Sequence, residues 1–354
     1  MPKSMKILIT DFLVVEAHRM FNINMVKAFA AMSETTVLSV NNYYLKNEEE
    51  LRSLGVKVVD ISNSNPLGKM KILKKWWILK NMVYTTRELK HGNYDMIVSL
   101  AFDTYVNMFL PILFHNKKIA VFYHKNIDEI NGIKKLLFSS YKNQIYHFVF
   151  EKSYKDYCMN VLKISPHRIY IVPHPSIEKS INNSKKGFFC VGLCHQNDET
   201  FIDGVERLHK EFQENNITIL LRTKRNRSNK TNVMFQNGFL DYCEYEKIVA
   251  ESSCVFVALP QSYIYRVSGT MYEAFSYHKK VLTTSLSHAK EYKDLYPGIC
   301  EYVASPLDLL SKLMTIRTDT NDSFTKFSDD HSLVAIGNVL SESLNEILYN
   351  KQQE

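Results

Sequence analysis

One stretch of the 354-residue chain gathers residues able to grip a phosphorylated ligand: CVFVALPQSYIYRVSGTMYEAFSYHKKVLTTS, 254–285. It reads as strand, loop, helix, strand. Arg266, Ser268, Gly269 and Thr270 stand at the helix start, and Glu273 lies one turn further in. A helix N-terminus presents unpaired backbone N–H groups and a partial positive charge, which suits phosphate. Gly269 removes a side chain where phosphate would approach the backbone. Arg266 offers a planar donor fork for a diphosphate, and Ser268 and Thr270 add hydroxyls. A carboxylate at Glu273 can accept from the two hydroxyls of a ribose. A plainer reading competes: Thr270-Met271-Tyr272-Glu273 is also a T-x-x-E capping box that only satisfies the helix end. Capping has no use for Arg266.

Other candidates sit at predicted strand ends. Arg222 and Lys224 fall at the end of ITILLRT (217–223) and just beyond it, within RTKRNRSNK. They either reach a diphosphate from a neighbouring strand or belong to a solvated basic loop. His124 ends KIAVFY, and the carboxyl ends of strands in open α/β sheets point into ligand crevices. His174, in VPHP, reads as part of a hinge.

These residues need a scaffold, and the sequence predicts one. KILIT (6–10), TVLSV (36–40), VKVVDI (56–61), DMIVSL (95–100), KIAVFY (118–123) and YHFVF (146–150) are short apolar runs separated by helical patterns. Such runs imply a parallel sheet covered on both faces. After IYIVPHPS the pattern lapses in a Ser- and Asn-rich stretch, then restarts with FFCVGL (188–193), ITILLRT, NVMFQ (232–236), CVFVAL (254–259) and KVLTTS (280–285). The expected class is α/β with two Rossmann-like domains: 1–175, a linker at 176–187, and 188–331. Residues 332–354 form a C-terminal helix and tail. Leu333, Ile336, Leu340, Leu344 and Ile347 line one side of that helix, which is expected to pack on the second domain.

Composition narrows the function. Apolar residues make up 45% and charged residues 23%, ordinary for a globular protein with a full core. The start MPKSMKILITDF is not a secretory signal, and no apolar run approaches the roughly 18–20 residues that span a bilayer, so a cytoplasmic location is expected. The six cysteines form no CxxC pair and read as reduced thiols. No HxH, HExxH or D-x-D occurs, so no metal is expected. The absence of GxGxxG after the first strand disfavours a dinucleotide enzyme, and the absence of GxxxxGK[ST] excludes a P-loop.

The 254–285 block resembles the donor-site signature of GT-B glycosyltransferases, especially family-4-like bacterial enzymes of polysaccharide synthesis. Glu273-Ala274 matches their E-A pair, and KKVLTTS matches the strand that follows it. The resemblance implies two Rossmann-like domains facing each other across a cleft. It also implies a nucleotide-diphosphate sugar as donor, and transfer with retention. By the same resemblance Gly192 matches the glycine that ends the first donor-domain strand. His124 matches a histidine near the reacting sugar, and Asp11 lies where an acceptor loop would be. The chain departs from the pattern at two places. The first of two glutamates separated by seven residues is replaced by Tyr265, and an Arg-Lys-Gly run after Gly192 is replaced by Leu193-Cys194-His195-Gln196-Asn197. Those departures favour the rival reading, an inactive GT-B-like protein that binds a glycan or partners an active transferase.

Charge is distributed unevenly. Residues 1–175 hold 24 Lys and Arg against 14 Asp and Glu, a net of +10, while the remainder holds 20 against 23, a net of −3. Within the basic half, LGKMKILKKWWILKNMVYTTRELKH (67–91) carries both tryptophans. A helical wheel sets Ile72, Trp76, Leu79 and Val83 opposite Lys71, Lys74 and Lys75. That helix either packs on the sheet with its lysines solvated or meets anionic lipid at the inner membrane face, beside a glycan or lipid-linked acceptor. No nucleic-acid motif accompanies the charge.

Overall fold

The computed structural model describes residues 5–12, 18–61, 71–124, 127–179, 187–194, 197–238, 240–260, 263, 265, 266, 268–316 and 321–349; within helices, the side chains of 71–75, 78, 83, 84, 90, 91 and 321 are not described. The chain divides into two compact units. One comprises Met1–Pro175, Tyr265–Val267 and Leu333–Glu354, the other Ser176–Ile264 and Ser268–Ser332.

The N-terminal unit is built on a seven-stranded sheet: β1 (Lys6–Asp11), β2 (Glu34–Ser39), β3 (Lys57–Asp60), β4 (Met96–Ser99), β5 (Lys118–Phe122), β6 (Tyr146–Val149) and β7 (Ile169–Ile171). The strand order is β3-β2-β1-β4-β5-β6-β7, and every pairing is parallel. Four residues of β4, and four of the five in β5, are buried, as expected of strands covered on both faces. The helices used below are α1 (Arg19–Ala30), α2 (Lys71–His91), α3 (Thr104–Asn107), α4 (Leu110–Leu113) and α5 (Gly132–Tyr141).

The chain steps from β1 to β3 in one direction along the sheet and from β3 to β6 in the other. Right-handed crossovers therefore put α1 on one face and α2 to α5 on the opposite face. The C-terminal helix Leu333–Tyr349 packs against α1 and buries Ile336, Leu340, Leu344 and Ile347 in the N-terminal core. Its apolar stripe was legible, but the expected partner was wrong.

The C-terminal unit repeats the plan with β8 (Cys190–Gly192), β9 (Ile219–Thr223), β10 (Val233–Asn237), β11 (Cys254–Val257), β12 (Lys280–Thr283) and β13 (Cys300–Tyr302), in the order β10-β9-β8-β11-β12-β13, all parallel. Its relevant helices are α6 (Glu199–Arg207), α7 (Tyr242–Glu251) and α8 (Gly269–Ser276). Strand β13 was not anticipated; three residues are too short to show a period. In each sheet the order reverses once, beside β1 and β4 in the first and beside β8 and β11 in the second, and that is where open α/β sheets hold ligands.

Candidate functional site

The start of α8 settles one ambiguity. Ser268 is the N-cap, with φ −100° and ψ 106°, so Thr270 is the second helical residue and Glu273 the fifth. The capping box required Thr270 at the cap, and that reading fails. The Ser268 hydroxyl makes no capping bond, and it is buried without a hydrogen-bond partner among the described residues. A Cβ added at Gly269 would meet nothing within 4 Å, so there is open space beside the helix start.

Glu273 has other partners. Its Oε1 accepts from the Lys179 ammonium at 3.1 Å and from the Tyr242 hydroxyl at 3.3 Å. Tyr245 lies close enough to both Glu273 and Thr270 for their side chains to act on its hydroxyl. Asp241 caps α7 by accepting from the Glu244 N–H at 2.9 Å, which sets Tyr242 and Tyr245 one turn apart. Lys179 also pairs with Glu246 and lies over the Tyr277 ring, 4.8 Å from its centroid. Burial works against the Lys179 charge, but Glu273 and Glu246 outweigh it and hold the ammonium above its usual pKa. Glu246 responds in kind: burial raises its carboxyl, Lys179 lowers it further, and the net shift is down.

Tyr245 also joins this cluster to the strand ends of β8 and β9. Arg222 and Cys194 both interact electrostatically with it. Burial lowers the Arg222 guanidinium from its usual value, with Cys194 and Tyr245 acting in the other direction. Asn197 ties the same edge together, donating from Nδ2 to the carbonyls of Gly192 and Arg222, each at 2.9 Å. Gly192 is demanded by packing: a Cβ would lie 2.6 Å from Leu221 Cδ2 and 3.2 Å from the Phe256 carbonyl oxygen. His195 and Gln196 lie outside the described residues.

The basic loop splits in two. Glu199, Asp203 and Glu206 share a face of α6, and Arg227 bonds all three at 2.9, 2.6 and 2.6 Å with its side chain only 6% exposed. Arg225 joins Asp203 at 2.9 Å. These two arginines are structural. Lys224 is exposed, and its backbone N–H donates to Glu199 at 2.7 Å.

Three expected site residues lie in the N-terminal unit. Arg266 pairs with Glu129 at 2.5 Å and Asp128 at 3.6 Å, so its guanidinium is matched to carboxylates of its own unit. Burial raises Asp128, only partly offset by Arg266. The neighbouring Tyr265 packs on Tyr157 with ring centroids 4.3 Å apart. Asp11 ends β1 but is sealed in. Its Oδ2 accepts from Asn22 and Asn41, both at 2.9 Å, from Tyr43 at 2.6 Å and from Tyr44 at 3.1 Å. Burial raises its carboxyl against the pull of those four donors. His124 follows β5 at 7% exposure, its ring 3.8 Å from that of His18, 4.7 Å from Phe21 and 5.8 Å from His174. Among the described residues no group of three or more His, Cys, Asp or Glu could hold a metal ion.

Lys179, Asn197, Tyr242 and Tyr245 were missed at the sequence level. The only available signal was the Asp-Tyr-x-x-Tyr start of α7, which marks a helix cap but not what its tyrosines meet.

No protein-family model matches the chain, and no curated protein does either. Solved structures match along nearly its full length. A glycosyltransferase from Rickettsia africae is similar with a TM-score of 0.66 at 15% identity, covering 99% of this chain and 100% of that one. HepE from Anabaena, solved with UDP and glucose, gives 0.64 at 13%, covering 96% and 99%. A candidate UDP-N-acetylglucosamine 2-epimerase from Listeria monocytogenes gives 0.59 at 11%, covering 99% and 98%. The fold is that of the GT-B glycosyltransferases. Both transferases and a candidate epimerase stand among its neighbours, so the chemistry has to be argued from the site.

Proposed function

We propose that this chain is a metal-independent glycosyltransferase that holds a nucleotide-diphosphate sugar in its C-terminal unit. The observation that carries the reading is the Glu273 carboxylate one turn inside α8, held by the Lys179 ammonium and the Tyr242 hydroxyl beside the open space at Gly269, with Arg222 within electrostatic range of the neighbouring Tyr245. In this reading Glu273 receives the ribose hydroxyls. Arg222, Lys224, Ser268, Thr270 and the free N–H groups at the start of α8, beside Gly269, hold the diphosphate. As the sugar–oxygen bond breaks, negative charge grows on the leaving diphosphate. Positive groups already in place there lower the barrier without a cation. Arg266 takes no part while it is paired with Glu129 and Asp128. His124 of the N-terminal unit is the histidine that the resemblance assigns to the reacting sugar, and a glycan or lipid-linked acceptor is the second substrate, for polysaccharide synthesis. Transfer proceeds with retention, as the resemblance implies.

HepE was solved with UDP and glucose, which makes UDP-sugars the first donors to try. The test is a calorimetric titration with nucleotide diphosphates, followed by donor turnover in EDTA. Binding of a diphosphate and slow release of it from its sugar in chelator support the reading. Activity abolished by EDTA and restored by manganese would overturn the metal-independent site.

Tyr265 supports a second reading. It occupies the position of the first glutamate of the pattern and is packed on Tyr157. A chain that binds the nucleotide sugar tightly but never hydrolyses or transfers it would be an inactive binder or a partner of an active transferase.

A further inference from the structure

The chain enters the C-terminal unit along α8 and delivers a lysine to Glu273. The Ser176 N–H donates to the His331 carbonyl at 2.9 Å, its hydroxyl to the Tyr272 carbonyl at 3.4 Å, and the Lys179 N–H to the Ser276 carbonyl at 2.9 Å. Residues 176–179 are thereby fastened at both ends. The Lys179 side chain is 20% exposed, and its ammonium meets the Glu246 carboxylate, Glu273 Oε1 at 3.1 Å and the Tyr242 hydroxyl at 3.1 Å. An ammonium has three donors, and these three acceptors use them all. The Tyr277 hydroxyl donates to the same Glu246 oxygen at 3.1 Å.

An ammonium held in this way is a fixed part of the site. Glu246 and Glu273 stand on separate helices, α7 and α8, and share this one cation. Without it two like charges would face each other, and such a pair relieves the repulsion by taking up a proton. Glu273 Oε1 takes both Lys179 and Tyr242, but an ionised carboxylate has about four acceptor sites, so capacity for a diol remains. Of the two donors the Tyr242 hydroxyl is the one able to give way, being 3.3 Å from Oε1 on a residue 41% exposed.

We infer that Lys179 is the positioning residue for the ribose-binding carboxylate: it fixes one oxygen of Glu273 and stands between that group and Glu246. The inference rests on the proposed donor site and adds to it the residue that sets its working pH range. Burial opposes the ammonium, yet Glu273 and Glu246 hold it above its usual pKa, so it stays charged wherever a carboxylate titrates. The other titratable groups beside the pair are Tyr242 and Tyr245 of α7 and Tyr277 beyond α8, all raised by burial, and His278, whose Nε2 lies 3.0 Å from Glu178 Oε1. Arg222 acts on Tyr245 from the sheet edge.

The test is a calorimetric titration of the full chain with nucleotide-diphosphate sugars, UDP-glucose first, from about pH 5.5 to about pH 8. These ligands are diphosphate diesters, whose own charge is constant over that range. Wild-type affinity should be level. Lys179→Met should bind about tenfold more weakly at the acid end than at the alkaline end, because Glu273 and Glu246 then share a proton. Adding Glu246→Gln removes the second carboxylate and should level the profile again. Lys179→Arg keeps the charge and should level it too. The His278–Glu178 pair is present in every variant and cancels. If Lys179→Met does not fold, Lys179→Gln, neutral but still a donor, takes its place with the same expected slope. A loss of affinity equal at every pH, with a lower melting temperature, would mean a merely structural lysine and would overturn the inference. Tighter binding by the neutral variants would overturn it as well, since the ammonium would then be a plug that ribose has to displace. A wild-type chain that binds none of the sugars overturns the donor site and this inference together, whereas wild-type affinity and a level profile in Lys179→Met overturn this one alone.

Discussion

Asp11 in the N-terminal unit and Glu273 in the C-terminal unit are both carboxylates ringed by tyrosine hydroxyls, near the carboxyl edge of a parallel sheet. Around Asp11 every partner is neutral, four donors converge on one oxygen, and the residue is 1% exposed. Around Glu273 one partner is an ammonium, and the side chain keeps 19% of its exposure. The first arrangement is closed and serves the fold. The second is open and can exchange partners, because a ligand hydroxyl can replace a tyrosine or lysine donor at little cost in solvation. Residue type alone marked both as site candidates; access separates them.

The largest expected effect is on the closed cluster. Asp11→Ala would leave two tyrosines and two asparagines without their shared acceptor and should cost about 3 kcal/mol or more. Urea unfolding of the N-terminal unit reads this directly, and a loss below about 1 kcal/mol would mean Asp11 is not the hub it looks.

His147 probes the same unit by pH. Its Nδ1 meets the Tyr123 hydroxyl at 2.6 Å, its Nε2 meets the Lys142 carbonyl at 2.7 Å, and burial lowers its pKa to about 4. The native state therefore binds fewer protons than the unfolded chain, whose histidine titrates near 6.5. The stability is fully present above pH 6.5 and is lost as pH falls toward 4. The loss amounts to about 3 kcal/mol across that window. His147→Gln can bond both partners without titrating and should flatten this part of the profile; an unchanged profile would assign it elsewhere.

On the open cluster, Glu273→Gln should weaken nucleotide binding roughly ten- to hundredfold while the melting temperature barely moves, from loss of a charge-assisted acceptor worth about 1.5–3 kcal/mol. If instead stability falls and affinity holds, Glu273 is a second Asp11 and the comparison collapses. The smallest effect is expected at Ser268. A capping serine normally contributes about 1 kcal/mol, but this hydroxyl makes no capping bond. Ser268→Ala should therefore change stability by less than about 0.5 kcal/mol and lower affinity for a diphosphate more than for the free nucleoside. A loss of stability near the usual capping value would place the hydroxyl back on the helix.

Much of the scaffold was legible because parallel strands covered on both faces must be apolar throughout. β1, β4, β5, β9, β11 and β12 were plain as runs, and the α8 region was recognisable as strand, loop and helix. Other features failed where one residue of register matters. Two adjacent tryptophans lie on α2, and the reading in which the stripe packs on the sheet needs Trp76 buried, whereas the structure buries Trp77 and exposes Trp76. Ile72 and Val83, the stripe's other ends, lie outside the described side chains.

What the sequence by itself determined was the class of fold, two successive β/α units, and the segment that holds Ser268, Gly269, Thr270 and Glu273. Periodicity and local spacing act over a few residues and are written in the chain. Only the tertiary structure decided which charges meet. Arg227 finds three carboxylates on α6, Arg266 finds Asp128 and Glu129, Lys179 finds Glu273, and the C-terminal helix finds α1. Each of those pairings joins residues more than twenty positions apart in the sequence. A charge can be satisfied equally well by solvent, by a ligand or by an opposite charge, and which of these it meets depends on the packing that brings distant elements together.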